Sequence, residues 1–359
     1  MSTKHKPSKQ GGTGVGAGAK IALFVALVVA CIGVGIGYVL HARSNTPSAG
    51  RASEPTVTAT QASLAAVMAG PYLVARNTDL GPAYGKVVLL PLADLTGPRA
   101  VTPLECDRVA MAHGVGLCLT ADRGVVTTYR GEIFDANFHI LHEFPLPGLP
   151  SRARVSPDGR YAAMTLFVYG DSYASTNFST RTMFVDTRSG KLLSNLEQFQ
   201  VTDNGRTVND ISRNYWGVTF AADSNRFYAT LAVGTSIHLI EGDLARREAH
   251  TIANGVECPS LSPDGTRVAY KLRTGGALTG VRWRLHVLDL ATGVDHALAE
   301  TRSVDDQVEW LDDQRVLYAL PRASSGTAVH DTWVVLADGT GSPQIFVRGT
   351  ESPTVTRTP

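Results

Sequence analysis

A ten-residue pattern that returns along the chain constrains this fold more than any other feature. Arg154-Val-Ser-Pro-Asp-Gly-Arg-Tyr-Ala-Ala is echoed by Ser260-Leu-Ser-Pro-Asp-Gly-Thr-Arg-Val-Ala. Weaker copies begin at Thr219 (TFAADSNRFY) and Glu309 (EWLDDQRVLY). Each reads as strand, four-residue turn, strand. In the two full copies proline presets φ at the second turn position, and glycine supplies the left-handed residue before the return strand.

A second signature follows each of these. Met183-Phe-Val-Asp-Thr-Arg-Ser-Gly-Lys and His286-Val-Leu-Asp-Leu-Ala-Thr-Gly are close copies, with looser versions at Leu239 and Val334. These are strands running into another polar turn. Four strands per unit, at a period of roughly 45 residues, is the arithmetic of a β-propeller. Inner strands centre near Val109, Val155, Val218, Leu261, Val308 and Val355. The last of them has no blade of its own, whereas the blade opened by Pro71-Tyr-Leu-Val-Ala and Lys86-Val-Val-Leu-Leu lacks an inner strand. Pairing the two closes a six-bladed ring and leaves only short blade edges; a seven-bladed count is the competing one. The expected fold class is all-β, a six-bladed propeller over residues 67–359.

The paired Ser-Pro-Asp-Gly and Asp-x-x-Thr-Gly signatures resemble those of TolB-like propellers, whose repeats are related to the WD-repeat class. The resemblance implies the fold, and a family that includes periplasmic interaction proteins and the non-catalytic propellers of some serine peptidases. Function follows from it only loosely, because one fold hosts many activities.

Upstream of the repeats, Ile21–Leu40 is a run of twenty residues without a charge, long enough as a helix to cross a hydrocarbon core of about 30 Å. Lys4, Lys6, Lys9 and Lys20 precede it, so the expected topology is a single-pass anchor with the N-terminus cytoplasmic and the propeller outside the cell membrane. Two other readings compete: a cleaved signal, and a lipoprotein signal at Val28-Val29-Ala30-Cys31. Residues 1–20 read as a disordered tail, and residues 41–66, rich in Ser, Thr, Ala and Pro, as a flexible linker.

In such a ring the a–b and c–d turns share one face, and the b–c and d–a connections share the other. The signature turns fall on the first. The long segments at 169–180, 199–214, 274–282 and 321–330 fall on the second, which is therefore the expected binding face. Where the inner strands start, on that same face, the alignment places Glu105, Glu257, Asp305, Asp306 and Glu351 as an acidic arc, with Arg152 and Arg213 facing it. The arc is the candidate binding site for a cation or a basic group of a partner. Cys106 and Cys118, on successive strands, are expected to form a disulfide in an oxidising compartment, leaving Cys258 buried.

No nucleophile elbow, zinc-protease helix or phosphate-binding glycine loop occurs in the sequence. With a formal net charge of +1, nucleic acid is not an expected partner. The sequence thus reads as a non-enzymatic platform for a protein or peptide of the cell envelope, without a cofactor. A channel-centred, metal-dependent hydrolase or lactonase is the rival, and a purely structural envelope subunit the third reading.

Overall fold

The computed structural model describes residues 17–44, 62–168, 179–276, 280–323 and 329–357. It divides into two compact units, Met1–Ala59 and Thr60–Pro359. The first contains helix α1 (Ala17–Ser44), which covers the uncharged run. Its described side chains between Ile21 and Val34 are all exposed. Among the described residues no helix is long and apolar enough to cross a membrane.

The second unit is a ring of six antiparallel blades. Blade 1 runs, from the channel outward, Thr350–Thr356, Tyr72–Asn77, Lys86–Pro91 and Ala100–Glu105. Its innermost strand comes from the far end of the sequence, with Leu73 opposite Val355 and Val74 opposite Thr354. This is the closure expected from the two orphan strands. Blades 2 to 6 begin at inner strands Arg108–Ala112, Leu149–Val155, Asn214–Phe220, Val256–Leu261 and Glu309–Asp312.

The ring holds because each blade buries both of its faces. Side chains alternate along a strand. On the second strand of blade 1, Tyr72 and Val74 pack toward blade 2 with Val109 and Met111. Leu73 and Ala75 pack the other way, with Leu311 and Leu317 of blade 6. Six apolar clusters result, one at each interface between neighbouring blades. Burial on both sides is why these strands read as unbroken apolar runs rather than alternating ones.

The signature turns are built alike. In blade 3 the Ser156 hydroxyl donates to Asp158 (2.6 Å), which also accepts the Arg160 N–H, and Gly159 sits at φ +72°. In blade 5, Ser262, Asp264 and Gly265 repeat this geometry, with φ +73°. Blade 4 keeps the turn without glycine, Ser224 taking φ +60° while Asp223 accepts two main-chain N–H groups.

Three sequence expectations change. The linker does not reach residue 66: α2 (Leu64–Met68) is capped by Ser63 and buries Val67, and Ala62 and Leu64 pack on the blade 1–2 core. The segment 199–214 is not simply a loop, because Gln200–Asp203 adds to blade 4 in parallel with Glu248–Asn254 and Arg206–Thr207 pairs beyond it. Phe199 and Val201 anchor it in the blade 3–4 core, apolar positions that make an edge strand more stable than a solvated excursion. Finally, Cys106 precedes the inner strand of blade 2, in the crossover from blade 1, yet its bond to Cys118 is present. The long connections at 169–178, 277–279 and 324–328 lie outside the described residues.

Candidate functional site

The inner strands of blades 4, 5 and 1 carry β-bulges near their starts, with Gly217, Cys258 and Ser352 in the left-handed region. A bulge turns a main-chain N–H away from its own ladder, and the neighbouring blade accepts it. Thr165 of blade 3 accepts from Gly217, and Thr230 of blade 4 accepts from Cys258 at 2.9 Å. Blades are so close here that a Cβ on Gly217 would lie 2.6 Å from the Cys258 Cα.

Thr165 and Thr230 are each the fifth residue of a second strand. In blade 5 that position is Lys271, and in blade 1 it is Arg76. These two cations meet the acids expected at the mouth. Lys271, 5% exposed, pairs with Asp305, and its ammonium lies 4.4 Å from the Trp283 ring centre. Arg76 pairs with Glu351 at 2.7 Å, and the other oxygen of Glu351 faces His330 at 3.2 Å. Reading the fifth position across the repeats would have exposed both cations, which the search for inner-strand acids passed over.

The expected arc therefore divides. Glu105 is not in it: it ends the outermost strand of blade 1, exposed and packed against Gly85. Only Cys106 and Asp107 separate that strand from the next inner one, so counting back four residues from Val109 lands on the wrong strand. Arg213 is held by its own loop, donating to the carbonyls of Asp210 and Val208. Asp306 accepts the Gln307 N–H beside it. Arg152 starts on the blade opposite Asp305, but its side chain crosses the channel to within 3.5 Å of that carboxylate.

Of the three remaining acids, Glu257 and Asp305 are tuned in opposite directions. Burial raises the pKa of Glu257, and Lys271 together with the Trp283 N–H offsets that only in part. At Asp305 burial also opposes ionisation, but the Lys271 and Arg152 charges outweigh it and hold the carboxyl below its ordinary value. The mouth is an internally neutralised network rather than an unsatisfied acidic ring.

Deeper in, the channel is crossed again. Arg154 donates to the Val308 carbonyl at 2.6 Å and lies 3.5 Å from Glu309, both on blade 6. Gln307 donates to the carbonyls of Val218 and Pro259. Beyond this floor, on the signature-turn face, the ring opens into a funnel of about 850 Å³ to which all six blades contribute. Among the described residues no group of three or more His, Cys, Asp or Glu side chains is placed to hold a metal ion.

Among the described residues of the propeller, the most exposed large apolar side chains lie on the long-connection face. Val125 and Val126 (75% exposed) form the tip of the blade 2 hairpin Val115–Arg123/Thr127–Asp135. Leu80 and Ile211 are exposed on connections of blades 1 and 4 on that face, and Val281 near the start of the third strand of blade 5.

Ring, closure and turns define the class: a six-bladed β-propeller. No protein-family model matches the sequence, and no curated protein matches it. Among solved structures the chain is similar to TolB from Acinetobacter baumannii, at 17% identity and a TM-score of 0.54, over 81% of this chain and 68% of that one. It is also similar to a structure of the nidogen/laminin complex, at 12% identity and a TM-score of 0.51, over 80% of this chain and 98% of that one. The TolB-like resemblance carried by the turns is thus met at the level of the fold.

Proposed function

We propose that this protein is a tethered extracytoplasmic platform that binds another protein of the cell envelope through the long-connection face of its propeller. The observation that carries this reading is the exposed Val125–Val126 pair. Two adjacent valines at a hairpin tip gain nothing from water and add nothing to any of the six cores, whereas contact with a partner would bury them. The fold likeness to TolB, and to a structure of a protein–protein complex, supports an interaction role. Tethering is supported by the uncharged Ile21–Leu40 run within α1 and by the lysines that precede it.

The test is photocrosslinking in the native host from position 126, compared with position 294, where Val294 is also exposed but lies in a turn on the opposite face. A crosslinked protein specific to position 126, and lost in Val125→Ser with Leu80→Ser, supports the platform. Equal yields from both positions overturn it. Tethering is tested apart from this: protease added to spheroplasts should remove the propeller and leave the anchor in the membrane. A mature N-terminus at Cys31 or near Ala42 would rule that version out.

A further inference from the structure

The funnel on the signature-turn face is a second site, separated from the long-connection face by the Arg154 and Gln307 crossings. Its wall is apolar where Met111, Val155, Phe220 and Leu261 line it. Its charged groups are unequal in what they have left to offer. Asp264 is saturated by Ser262, Thr266 and Arg267, which hold its pKa down to about 2. Glu309 faces Arg154 and accepts the Val355 N–H. Both acids are committed to the protein.

The cations are not committed in the same way. Arg357 donates to the carbonyls of Trp310 and Leu311, and among the described residues no carboxylate pairs with it. Arg226 is half exposed and has Asp223 at 3.9 Å, the loose end of ion-pair distance. The funnel therefore joins an apolar wall to two available guanidiniums, a combination suited to a carboxylate borne on an apolar chain. Guanidinium forks bind carboxylates in two-point fashion, and the wall would shelter the chain from water.

We propose that the funnel binds an apolar-chain carboxylate, with the Arg357 or the Arg226 guanidinium, on opposite sides of the ring, holding the carboxylate and the Phe220–Leu261 side receiving the chain. Two sources share this chemistry: a small free carboxylic acid, and the C-terminus of a polypeptide that ends in apolar residues. This site does not depend on the long-connection face being a docking surface.

The experiment is saturation-transfer NMR on the purified full chain with four probes: hexanoate, hexanol, N-acetyl-Leu-Phe and its C-terminal amide. Hexanoate should bind and hexanol should not, or the acid form of the dipeptide should bind and the amide should not. The first result points to a free acid as source, the second to a chain terminus. The double variant R226Q/R357Q should weaken whichever acid binds by about tenfold or more, the worth of a lost charge-assisted hydrogen bond. Both side chains lie at the surface, so folding is checked simply by an unchanged melting curve. Leu261→Gln should weaken binding without abolishing the preference for acid over amide. The proposal is overturned if acid and neutral probes bind equally, if none binds at millimolar concentration, or if the folded double variant binds as the wild type does.

Discussion

Arg154, on the inner strand of blade 3, donates to the carbonyl of Val308 on blade 6, 2.6 Å away across the channel. With Arg152 reaching Asp305 above it, two arginines from one strand tie opposite sides of the ring together. Closure by the terminal strand acts at the seam of the ring, whereas these contacts act across its diameter.

Replacing Arg154 with Met keeps the unbranched stem of the side chain and removes the guanidinium that makes the crossing. Glu309 and the Val308 carbonyl then lose their partner in a partly buried setting, and a cost of about 2–3 kcal/mol is expected. Urea titration of R154M should show it, and adding E309Q should recover part of the loss. An unchanged midpoint would mean that water replaces the arginine at no cost.

At the mouth the two acids predict opposite outcomes. The pKa of Glu257 is raised by burial, so its contribution is present at pH below the ordinary glutamate range and is lost as pH rises through the folded value. E257Q should therefore melt higher than wild type at neutral pH. Against partial desolvation, the Lys271 and Arg152 charges lower the pKa of Asp305, so its contribution is present above the ordinary aspartate range and fades as pH falls through the folded value. D305N should melt lower at neutral pH and lose this acid-dependent component. Its cost should be about 2 kcal/mol, less than for a fully buried pair, because the Asp305 side chain is 56% exposed while Lys271 is not.

Glu300 is 1% exposed and accepts from the Tyr318 hydroxyl at 2.6 Å and from Arg302, whose guanidinium lies 3.9 Å from the Trp333 ring centre. E300A strands a phenol and a guanidinium together. A loss of about 3–5 kcal/mol is expected, measurable by calorimetry. E300Q keeps one acceptor oxygen and should cost less.

Removal of residues 349–359 takes the inner strand from blade 1 and bares the face that Val355 covers. The truncated propeller should lose more than the about 0.5–3 kcal/mol of an ordinary point change, and aggregate on warming. Light scattering during a thermal ramp checks this, and unchanged melting would show that the strand is dispensable.

Without reductant, peptide mapping should recover Cys106 linked to Cys118 and Cys258 as a free thiol. The bridge closes a loop of twelve residues, for which chain entropy gives about 3 kcal/mol. The double Ser variant should melt lower to that degree.

What the sequence determined by itself is the part of the fold that local chemistry dictates. Pro157, Asp158 and Gly159, like Pro263, Asp264 and Gly265, specify a turn whatever surrounds them, so turns, strand count and ring closure were legible. The disulfide was legible too, since Cys106 lies just before the first strand of one hairpin and Cys118 on its second strand. Tertiary structure alone decided the site. Counting from inner-strand centres assumed a crossover of constant length, and the two-residue crossover at Cys106–Asp107 moved Glu105 off the channel. Charge at the mouth depended on what Lys271 and Arg76 could reach from a different strand, and Arg152 showed that a long side chain can cross a channel that separates its backbone from Asp305. The funnel was invisible for the same reason: Phe220, Arg226, Leu261 and Arg357 come from two blades and the far end of the chain, and only the closed ring sets them around one space. Turn geometry is fixed within a few residues, whereas electrostatic pairing acts between atoms that only folding brings together.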